Sequence, residues 1–247
     1  MRTFATVLFV AGLSVGPALA SGPAHWGYHG EDGPAHWGEL DPAFGACKAG
    51  QMQSPIDLGK ANEKADVTVA IDYKAVPLSV LHNGHTVQFN VDNGSAITLA
   101  GQSYKLLQVH FHTPSEHHMA GIAYPLEAHF VHKSDAGTLA VIGVMIQVGG
   151  ENAALKPLIA NLPMTTTPVH TVDGVTMDPA ALLPEKHALV RYMGSLTTPP
   201  CSEGVNWMVM TQAVSASKAQ IDALAKAMGD NARPLQMPGH RLIVEPK

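Results

Sequence analysis

The sequence has little charge, no basic cluster and few long apolar segments. Charged residues make up 14% of the 247 residues and hydrophobic residues 46%, a balance that excludes a disordered chain. The 15 Lys and Arg residues are scattered and outnumbered by 20 Asp and Glu, for a net charge of −5, which argues against a nucleic-acid partner. After the first 20 residues no apolar run is long enough to span a bilayer, so no membrane partner is expected either.

The first 20 residues have the pattern of a cleavable signal peptide. Arg2 supplies a minimal basic region, residues 4–15 are apolar, and small residues end the segment at Ala20. We therefore expect residues 1–20 to be removed by cleavage after Ala20 and residues 21–247 to form one domain, either in the periplasm or secreted. An uncleaved membrane anchor is the alternative, which the shortness of the apolar stretch disfavours.

Cysteine is scarce, with Cys47 and Cys201 the only two in the chain. In an exported protein an isolated pair is more often a disulfide than two free thiols. A bridge between them would close a long loop and stabilise the fold by roughly 5 kcal/mol on the chain-entropy model. A pair of metal-binding thiolates is the alternative.

Turn residues and alternating apolar residues predict a β-rich domain. The 23 Gly and 18 Pro residues favour many turns over a helix bundle. Strand-like alternation recurs in six segments, which are Val67–Ile71, Thr86–Val91, Ala96–Leu99, Leu106–His112, Glu127–His132 and Thr138–Val148. Helical spacing occurs at Ser217–Met228, ended by Gly229, and more weakly at Asn152–Leu162. The expected fold is therefore mainly β, a single domain with a few short peripheral helices.

A pair of histidines in one strand-like run indicates a metal site. Residues i and i+2 of a strand point to the same face, so His110 and His112 project together while Phe111 points to the opposite side. His129, on a neighbouring antiparallel strand, would complete a set of three neutral ligands that leaves a fourth position of Zn²⁺ for water. Since the chain has 14 histidines, buried or surface histidines without a metal are the alternative.

Two polar residues are expected to orient these ligands. Gln108 lies two residues before His110, and Glu127 lies two residues before His129, so each shares a face with a histidine. A ligating imidazole normally donates its other N–H to an oxygen acceptor, which both residues offer. The histidines expected to be structural instead are His117, His118 and His132.

Four segments are the main part of a collinear pattern that extends over nearly the whole mature chain. They are Gln108–His112, Ser115–His117, Glu127–His132 and Gly194–Cys201, and Gln53–Asp57, Asn83–His85 and Asn231–Gln236 agree in order. In these segments the chain resembles the α-class carbonic anhydrases, and specifically their bacterial secreted branch. The resemblance implies a large, mostly antiparallel twisted central sheet that carries zinc at the base of a cone.

The resemblance implies a zinc lyase that hydrates carbon dioxide reversibly to bicarbonate and a proton by attack of zinc-bound hydroxide. His110, His112 and His129 match the ligands of one Zn²⁺ per chain. Weak esterase activity would be a side reaction. A non-catalytic zinc-holding or binding module on the same scaffold is the alternative. The resemblance also leaves a homodimer open, which no surface feature of the sequence establishes.

Three residues match catalytic positions of the family. Thr197 matches the residue whose hydroxyl accepts a hydrogen bond from zinc-bound hydroxide, and Glu116 matches the carboxylate that receives the Thr197 hydroxyl proton. This pair would disfavour anions that have no proton to donate. His85 matches the mobile proton shuttle, because a near-neutral pKa suits a group that both takes and gives a proton.

The resemblance assigns the remaining walls of the cavity. Thr198 matches a residue that positions water and bicarbonate. Tyr28 and Asn83 match residues that order the waters of the proton relay, and Gln88 occupies the same polar wall. The apolar wall for carbon dioxide is implied at Val131, Val141, Leu196, Val205 and Trp207.

The resemblance also has implications for the disulfide and for two peptide bonds that precede prolines. A disulfide between Cys47 and Cys201 would tie the N-terminal arm to this loop. The bonds that precede Pro55 and Pro200 match cis peptide bonds of the family. The residues around Thr86 and Gln88 differ from those of the animal members of the family.

Overall fold

The computed structural model describes residues 24–59, 61–65 and 67–247. The expected signal peptide, residues 1–20, lies outside the described residues. Within these ranges, no helix is both long and apolar enough to cross a membrane.

Thirteen strands form one sheet at the centre of the fold. The strands are β1 (Glu63–Lys64), β2 (Val69–Asp72), β3 (Val76–His82), β4 (Val87–Asn90), β5 (Ala96–Leu99), β6 (Gln102–His112), β7 (Leu126–Lys133), β8 (Leu139–Val148), β9 (Thr167–Met177), β10 (Leu189–Ser195), β11 (Glu203–Met210), β12 (Val214–Ala216) and β13 (Ile243–Glu245). Their order is β1-β13-β10-β11-β8-β7-β6-β4-β3-β9, with β12 beside β8 and β5 between β2 and β6.

Most strand pairings in the described part of the chain are antiparallel, as predicted. The three parallel ones are β1 with β13, β8 with β11 and β8 with β12. The sheet is therefore mixed around β8, which no local pattern of the sequence indicates. The mainly β fold class is confirmed.

Short helices lie around the sheet, as predicted. They are α1 (Trp37–Leu40), α2 (Ala46–Ala49), α3 (Lys156–Ala160) and α4 (Lys218–Met228), with 3-10 turns at Gly30–Asp32, Pro42–Phe44, Ala153–Leu155 and Pro179–Leu182. Ser217 caps α4 in a reciprocal capping box with Gln220, and Gly229 follows its end with φ of 66°, a conformation that glycine adopts at low cost. The weaker helical prediction is a 3-10 turn followed by α3, where Pro157 is tolerated in the first turn.

Alternation along the strands separates two buried clusters on opposite faces of the sheet. Phe111 and Phe130 belong to the larger cluster, whereas Val141 and Trp207 belong to the smaller one. The prediction that Phe111 points away from its neighbouring histidines is thus confirmed. The polar site described below lies on the side of the smaller cluster.

The two cysteines form a disulfide, which excludes the alternative of metal-binding thiolates. Cys47 in α2 is bonded to Cys201, 154 residues further along the chain. The main-chain N–H of Cys201 donates to the carbonyl oxygen of Thr198 at 2.8 Å, so the bridge reaches the Thr197 loop directly. The peptide bonds before Pro55 and Pro200 are cis, as implied, and the bond before Pro114 is also cis.

We predict that removal of the disulfide destabilises the protein. In the double variant Cys47→Ser/Cys201→Ser the unfolded chain regains the entropy of a long loop, which lowers the free energy of unfolding by up to about 5 kcal/mol. Urea unfolding of this variant and of the oxidised wild type measures the difference. Equal unfolding free energies would contradict the prediction.

Candidate metal centre

Three histidines converge on one face of the sheet. In the antiparallel pairing of β6 with β7, His110 lies directly opposite His129, and His112 lies one pleat further along β6. The ring centres are 5.0 Å apart for His110 and His112, 5.2 Å for His110 and His129, and 4.5 Å for His112 and His129. One ring nitrogen from each lies within 4.8 Å of the others. The structure therefore brings together the three predicted ligands.

His110 and His112 are each held from behind through Nδ1. Nδ1 of His110 donates to Oε1 of Gln108 at 2.8 Å, as predicted for that glutamine. Nδ1 of His112 donates to the carbonyl oxygen of Asn231 at 2.8 Å. Both rings therefore keep Nε2 as the nitrogen available to a metal.

His129 contacts its supporting residue through Nε2 rather than Nδ1. Its Nε2 lies 2.9 Å from Oε1 of Glu127, so Nδ1 is the nitrogen left for a metal. Glu127 in turn accepts from the main-chain N–H groups of Glu116 and His117 at 2.9 Å and from Nδ1 of His117 at 2.8 Å. Burial alone would raise the pKa of Glu127, but the adjacent imidazoles of His117 and His129 hold it well below its usual range. Glu127 is therefore an ionised, fully bonded support for His129.

The histidines expected to be structural have different environments. His117 lies directly behind the site, where its Nε2 accepts from the Tyr192 hydroxyl at 2.7 Å. His132 is buried on the opposite face of β7 and is bonded to Tyr73 and to the carbonyl oxygen of Ala140. His118 lies at an isolated bridge to Asp57.

The donor set fits a zinc ion. Burial, more than any neighbouring charge, lowers the pKa of all three imidazoles, that of His112 to about 4, so they are neutral ligands at neutral pH. Among the described residues, Nε2 of His112, Oε2 of Glu116 and Nε2 of His129 are buried without a hydrogen-bond partner, a state that costs about 1–3 kcal/mol per group; Nε2 of His129 has only its close contact with Glu127. Three neutral histidines around an open position are the ligands of a catalytic zinc.

Glu116 lies beside the ligands and Thr197. Its Oε1 accepts from the main-chain N–H of Arg233 at 2.9 Å, and its Oε2 is 3.5 Å from Nε2 of His112 and 3.9 Å from Nδ1 of His129. Burial raises the pKa of Glu116 to about 7, although nearby His129, the Arg233 N–H and a hydrogen bond from the Thr197 hydroxyl all lower it. The structure thus brings the predicted Thr197–Glu116 pair together next to the histidines.

A cavity of about 130 Å³ leads outward from His110 and His112, and Thr198 is among its lining residues. The same cavity is lined by Tyr28, Asn83, His85 and Gln88, so the residues of the implied proton relay share one space with His110 and His112. The imidazole of His85 stacks on the Trp26 ring, with the ring centres 3.6 Å apart. Burial is the main cause that lowers the pKa of His85, and the charges of His25 and His82 lower it further.

The residues of the polar wall also make hydrogen bonds within the protein. Oδ1 of Asn83 accepts from the main-chain N–H groups of His85 and Thr86, both at 2.9 Å, so its carbonyl fixes the turn that carries His85. Nε2 of Gln88 donates to Asn90 at 2.7 Å. Burial raises the pKa of the Tyr28 hydroxyl, and the negative charge of Glu116 raises it further. The hydroxyl therefore stays protonated.

The five residues of the implied apolar wall form one cluster. Val141, Val205 and Trp207 are buried in the smaller core cluster, and Val131 and Leu196 pack against it. The Trp207 ring lies 4.8 Å from the His129 ring, and its Nε1 donates to the carbonyl oxygen of Ser195 at 2.9 Å. The cluster is thus adjacent to the metal ligands.

Asn231 is a site residue to which the sequence assigned no role. Its carbonyl oxygen holds His112, its Oδ1 accepts from the Thr113 N–H at 2.7 Å, and its Nδ2 donates to the carbonyl oxygens of His85 and Phe111. Asn231 lies in a segment that carries the family resemblance, which was the one available signal. Periodicity and spacing cannot indicate a contact between residues 119 positions apart.

A mainly β domain with three neutral, converging histidines and a buried threonine–glutamate pair fits the class of metalloenzymes that hold a catalytic metal on three histidines. The model of the eukaryotic-type carbonic anhydrase family matches residues 32–246. The chain belongs to this family, and it is accordingly an enzyme that hydrates carbon dioxide reversibly to bicarbonate and a proton.

Three relatives illustrate the extent of the similarity. The chain is 41% identical to a carbonic anhydrase of Nostoc sp. over 226 residues, which cover 90% of this chain and 86% of the relative. It is similar, with a TM-score of 0.87 and 42% identity over 91% of its length, to the whole α-carbonic anhydrase of Thermovibrio ammonificans solved in complex with the inhibitor sulfanilamide. It is also similar, with a TM-score of 0.83 and 31% identity over 90% of its length, to 99% of dioscorin complexed with ascorbate.

We predict that Gly143→Ala disturbs the support of His129. Gly143 lies opposite His129 in β8, and a Cβ there would lie 2.7 Å from Oε1 of the buried Glu127. Overpacking of this kind lowers the free energy of unfolding by about 1–3 kcal/mol, which urea unfolding measures. Gly150→Ala is the control, because a Cβ at that position meets nothing within 4 Å. Equal stability of the two variants would contradict the prediction.

Proposed function

We propose that His110, His112 and His129 hold one Zn²⁺ per chain and that carbon dioxide is hydrated at this point. The observation that carries the proposal is the convergence of three neutral ring nitrogens within 4.8 Å, each ring being fixed from behind by an oxygen acceptor. When bound, zinc supplies Lewis acidity that lowers the pKa of water to about 7, the value known for carbonic anhydrase itself. The remaining steps depend on side chains of this chain.

The Thr197–Glu116 pair orients the nucleophile. Because Glu116, when ionised, accepts a hydrogen bond from the Thr197 hydroxyl, the threonine oxygen can only accept a hydrogen bond from the oxygen nucleophile. That bond directs a lone pair of the nucleophile toward the substrate, which is catalysis by orientation. The neighbouring Thr198 positions water and product bicarbonate.

Carbon dioxide is apolar and binds beside this pair, against Val131, Val141, Leu196, Val205 and Trp207. These residues pack in one cluster next to His129, which supports this assignment. Apolar side chains there keep water from competing with the substrate. Slow attack on activated esters is expected as a side reaction.

The proton released in each turnover leaves through His85. The imidazole shares the cavity with His110 and is half-buried, so it can exchange a proton with cavity water and with solvent. Tyr28, Asn83 and Gln88 line the path, where Asn83 also fixes the turn that carries the shuttle.

We further propose that residues 1–20 are a signal peptide cleaved after Ala20, and that residues 21–247 form the catalytic domain in the periplasm or outside the cell. The Cys47–Cys201 disulfide supports an oxidising compartment. Sedimentation of the mature chain distinguishes a monomer from the homodimer that the family resemblance leaves open.

A binding module on the same scaffold is the second candidate. It is favoured by one observation, which is that the fold is shared with dioscorin complexed with ascorbate. Fold alone does not decide chemistry, however, and the three histidines, Thr197 and Glu116 are all present in this chain. A full complement of zinc without hydration of carbon dioxide would favour the binding module.

We predict that His129→Ala abolishes both stoichiometric zinc and activity. Two imidazoles cannot replace the three-nitrogen set, so the variant should retain far less than one zinc per chain. Zinc analysis and stopped-flow hydration of carbon dioxide on the same oxidised samples measure both quantities. The matched control is His132→Ala, a buried histidine of the same strand on the opposite face, which should keep its zinc. One zinc per chain in His129→Ala would contradict the ligand assignment.

We predict that His85→Ala slows hydration at least about tenfold in weak buffer, because proton transfer then lacks its acceptor. Added imidazole should restore the rate by replacing the missing side chain. The control is His29→Ala, which removes an exposed histidine outside the cavity lining. An unchanged rate for His85→Ala in weak buffer would exclude the shuttle.

A further inference from the structure

Arg233 is a buried cation without a carboxylate bound to its guanidinium among the described residues. It is 2% exposed, and burial lowers its pKa only to about 10, so it remains charged at neutral pH. Its Nη1 donates to Oε1 of Gln53 and to the carbonyl oxygen of Ser54, both at 2.8 Å, and its Nη2 donates to the carbonyl oxygen of Cys47 at 3.1 Å. Its Cζ also lies 5.6 Å from the centre of the Trp37 ring. The guanidinium therefore links residues 47–54 to the segment of Arg233 by several bonds, at the free-energy cost of burying a cation.

The main chain of the same residue holds Glu116. The Arg233 N–H donates to Oε1 of Glu116 at 2.9 Å, and the other oxygen of that carboxylate faces His112 and His129. Two residues earlier, Asn231 holds His112. Movement of residues 231–233 would therefore displace the Glu116 carboxylate relative to Thr197.

The segment that receives the guanidinium also supports the Thr197 loop. Cys47 is bonded to Cys201, Nε2 of Gln53 donates to the carbonyl oxygen of Cys201 at 3.1 Å, and the Cys201 N–H donates to Thr198. Residues 47–54 are thus a common support. They hold the threonine side of the pair through Cys201 and the glutamate side through Arg233.

We propose that Arg233 is a positioning residue for the Thr197–Glu116 pair. Its guanidinium fastens residues 231–233 to residues 47–54, which keeps the Glu116 carboxylate within reach of the Thr197 hydroxyl. This inference rests on the proposed role of that pair. Without the guanidinium Glu116 withdraws, the Thr197 hydroxyl is free to rotate and donate, and the site stops discriminating against ligands that have no proton to offer.

The test compares two probes that bind to zinc-loaded protein. Sulfanilamide carries N–H groups, whereas thiocyanate has no proton to donate. Titration calorimetry gives both dissociation constants, and their ratio measures the preference for a proton donor. In Arg233→Met the preference should fall about tenfold, the worth of one hydrogen bond, while zinc content stays at the wild-type value.

Arg241→Met is the matched control. Arg241 is also a largely buried arginine that binds the same segment, through the carbonyl oxygen of Gln53 at 2.8 Å. Its other acceptors are the carbonyl oxygens of Met193, Met237 and Pro238, none of which belongs to the site. We expect its preference to stay within about twofold of wild type even if its melting temperature falls. Equal losses of preference in the two variants, or no loss in Arg233→Met, would overturn the proposal.

A second comparison separates this inference from the proposed role of the pair. If Arg233 acts through Thr197, then Thr197→Val should lose the preference and Arg233→Met should change it no further in that background. An unchanged preference in Thr197→Val would refute the role of the pair itself. A further loss in the double variant would refute action through Thr197. Arg233→Lys, which retains the charge with fewer bonds, is used where Arg233→Met does not fold.

Discussion

The antiparallel register of β6 and β7 is the constraint on which the rest of the site depends. It sets His110 opposite His129 and His112 opposite Glu127, so the ligands and a supporting carboxylate arrive together on rigid strands. Because side chains alternate along a strand, a slip of one residue would turn all of them to the other face. Phe111 lies between the two β6 histidines in the larger core cluster, so that slip would also expose apolar surface to the site.

The polar side chains that this register places in the site are buried, so each of them needs a hydrogen-bond or charge partner. A buried carboxylate is tolerated only where its charge is compensated and its oxygens are bonded, and Glu127 meets both conditions through main-chain N–H groups and His117. The same burial keeps the ligand imidazoles neutral. Burial thus keeps the three imidazoles in the neutral form that can bind a metal. It also requires the groups behind them to be held by hydrogen bonds.

The Thr197–Glu116 pair beside the three histidines comes from loops, whose positions the sheet alone does not determine. Thr197 follows β10 and Glu116 follows β6, and each loop is fixed by contacts with distant segments. The disulfide joins residues 47 and 201, and the Arg233 N–H binds Glu116 across 117 positions. Stability of the fold and geometry of the site therefore depend on the same few long-range bonds.

The sequence by itself determined what local periodicity encodes. The spacing of His110 and His112, the acceptors Gln108 and Glu127 and the strands that carry them follow from the alternation of strand side chains. Helix α4 follows from helical spacing that ends at Gly229. The family resemblance added Thr197, Glu116 and His85, which no spacing indicates. Only the tertiary structure decided the parallel pairing of β8 with β11, the bond from His112 to the carbonyl oxygen of Asn231 and the bonds from the Arg233 guanidinium to residues 47–54. The physical reason is that contacts between segments far apart in the sequence leave no periodic trace in the chain, and they form only when the whole core is packed.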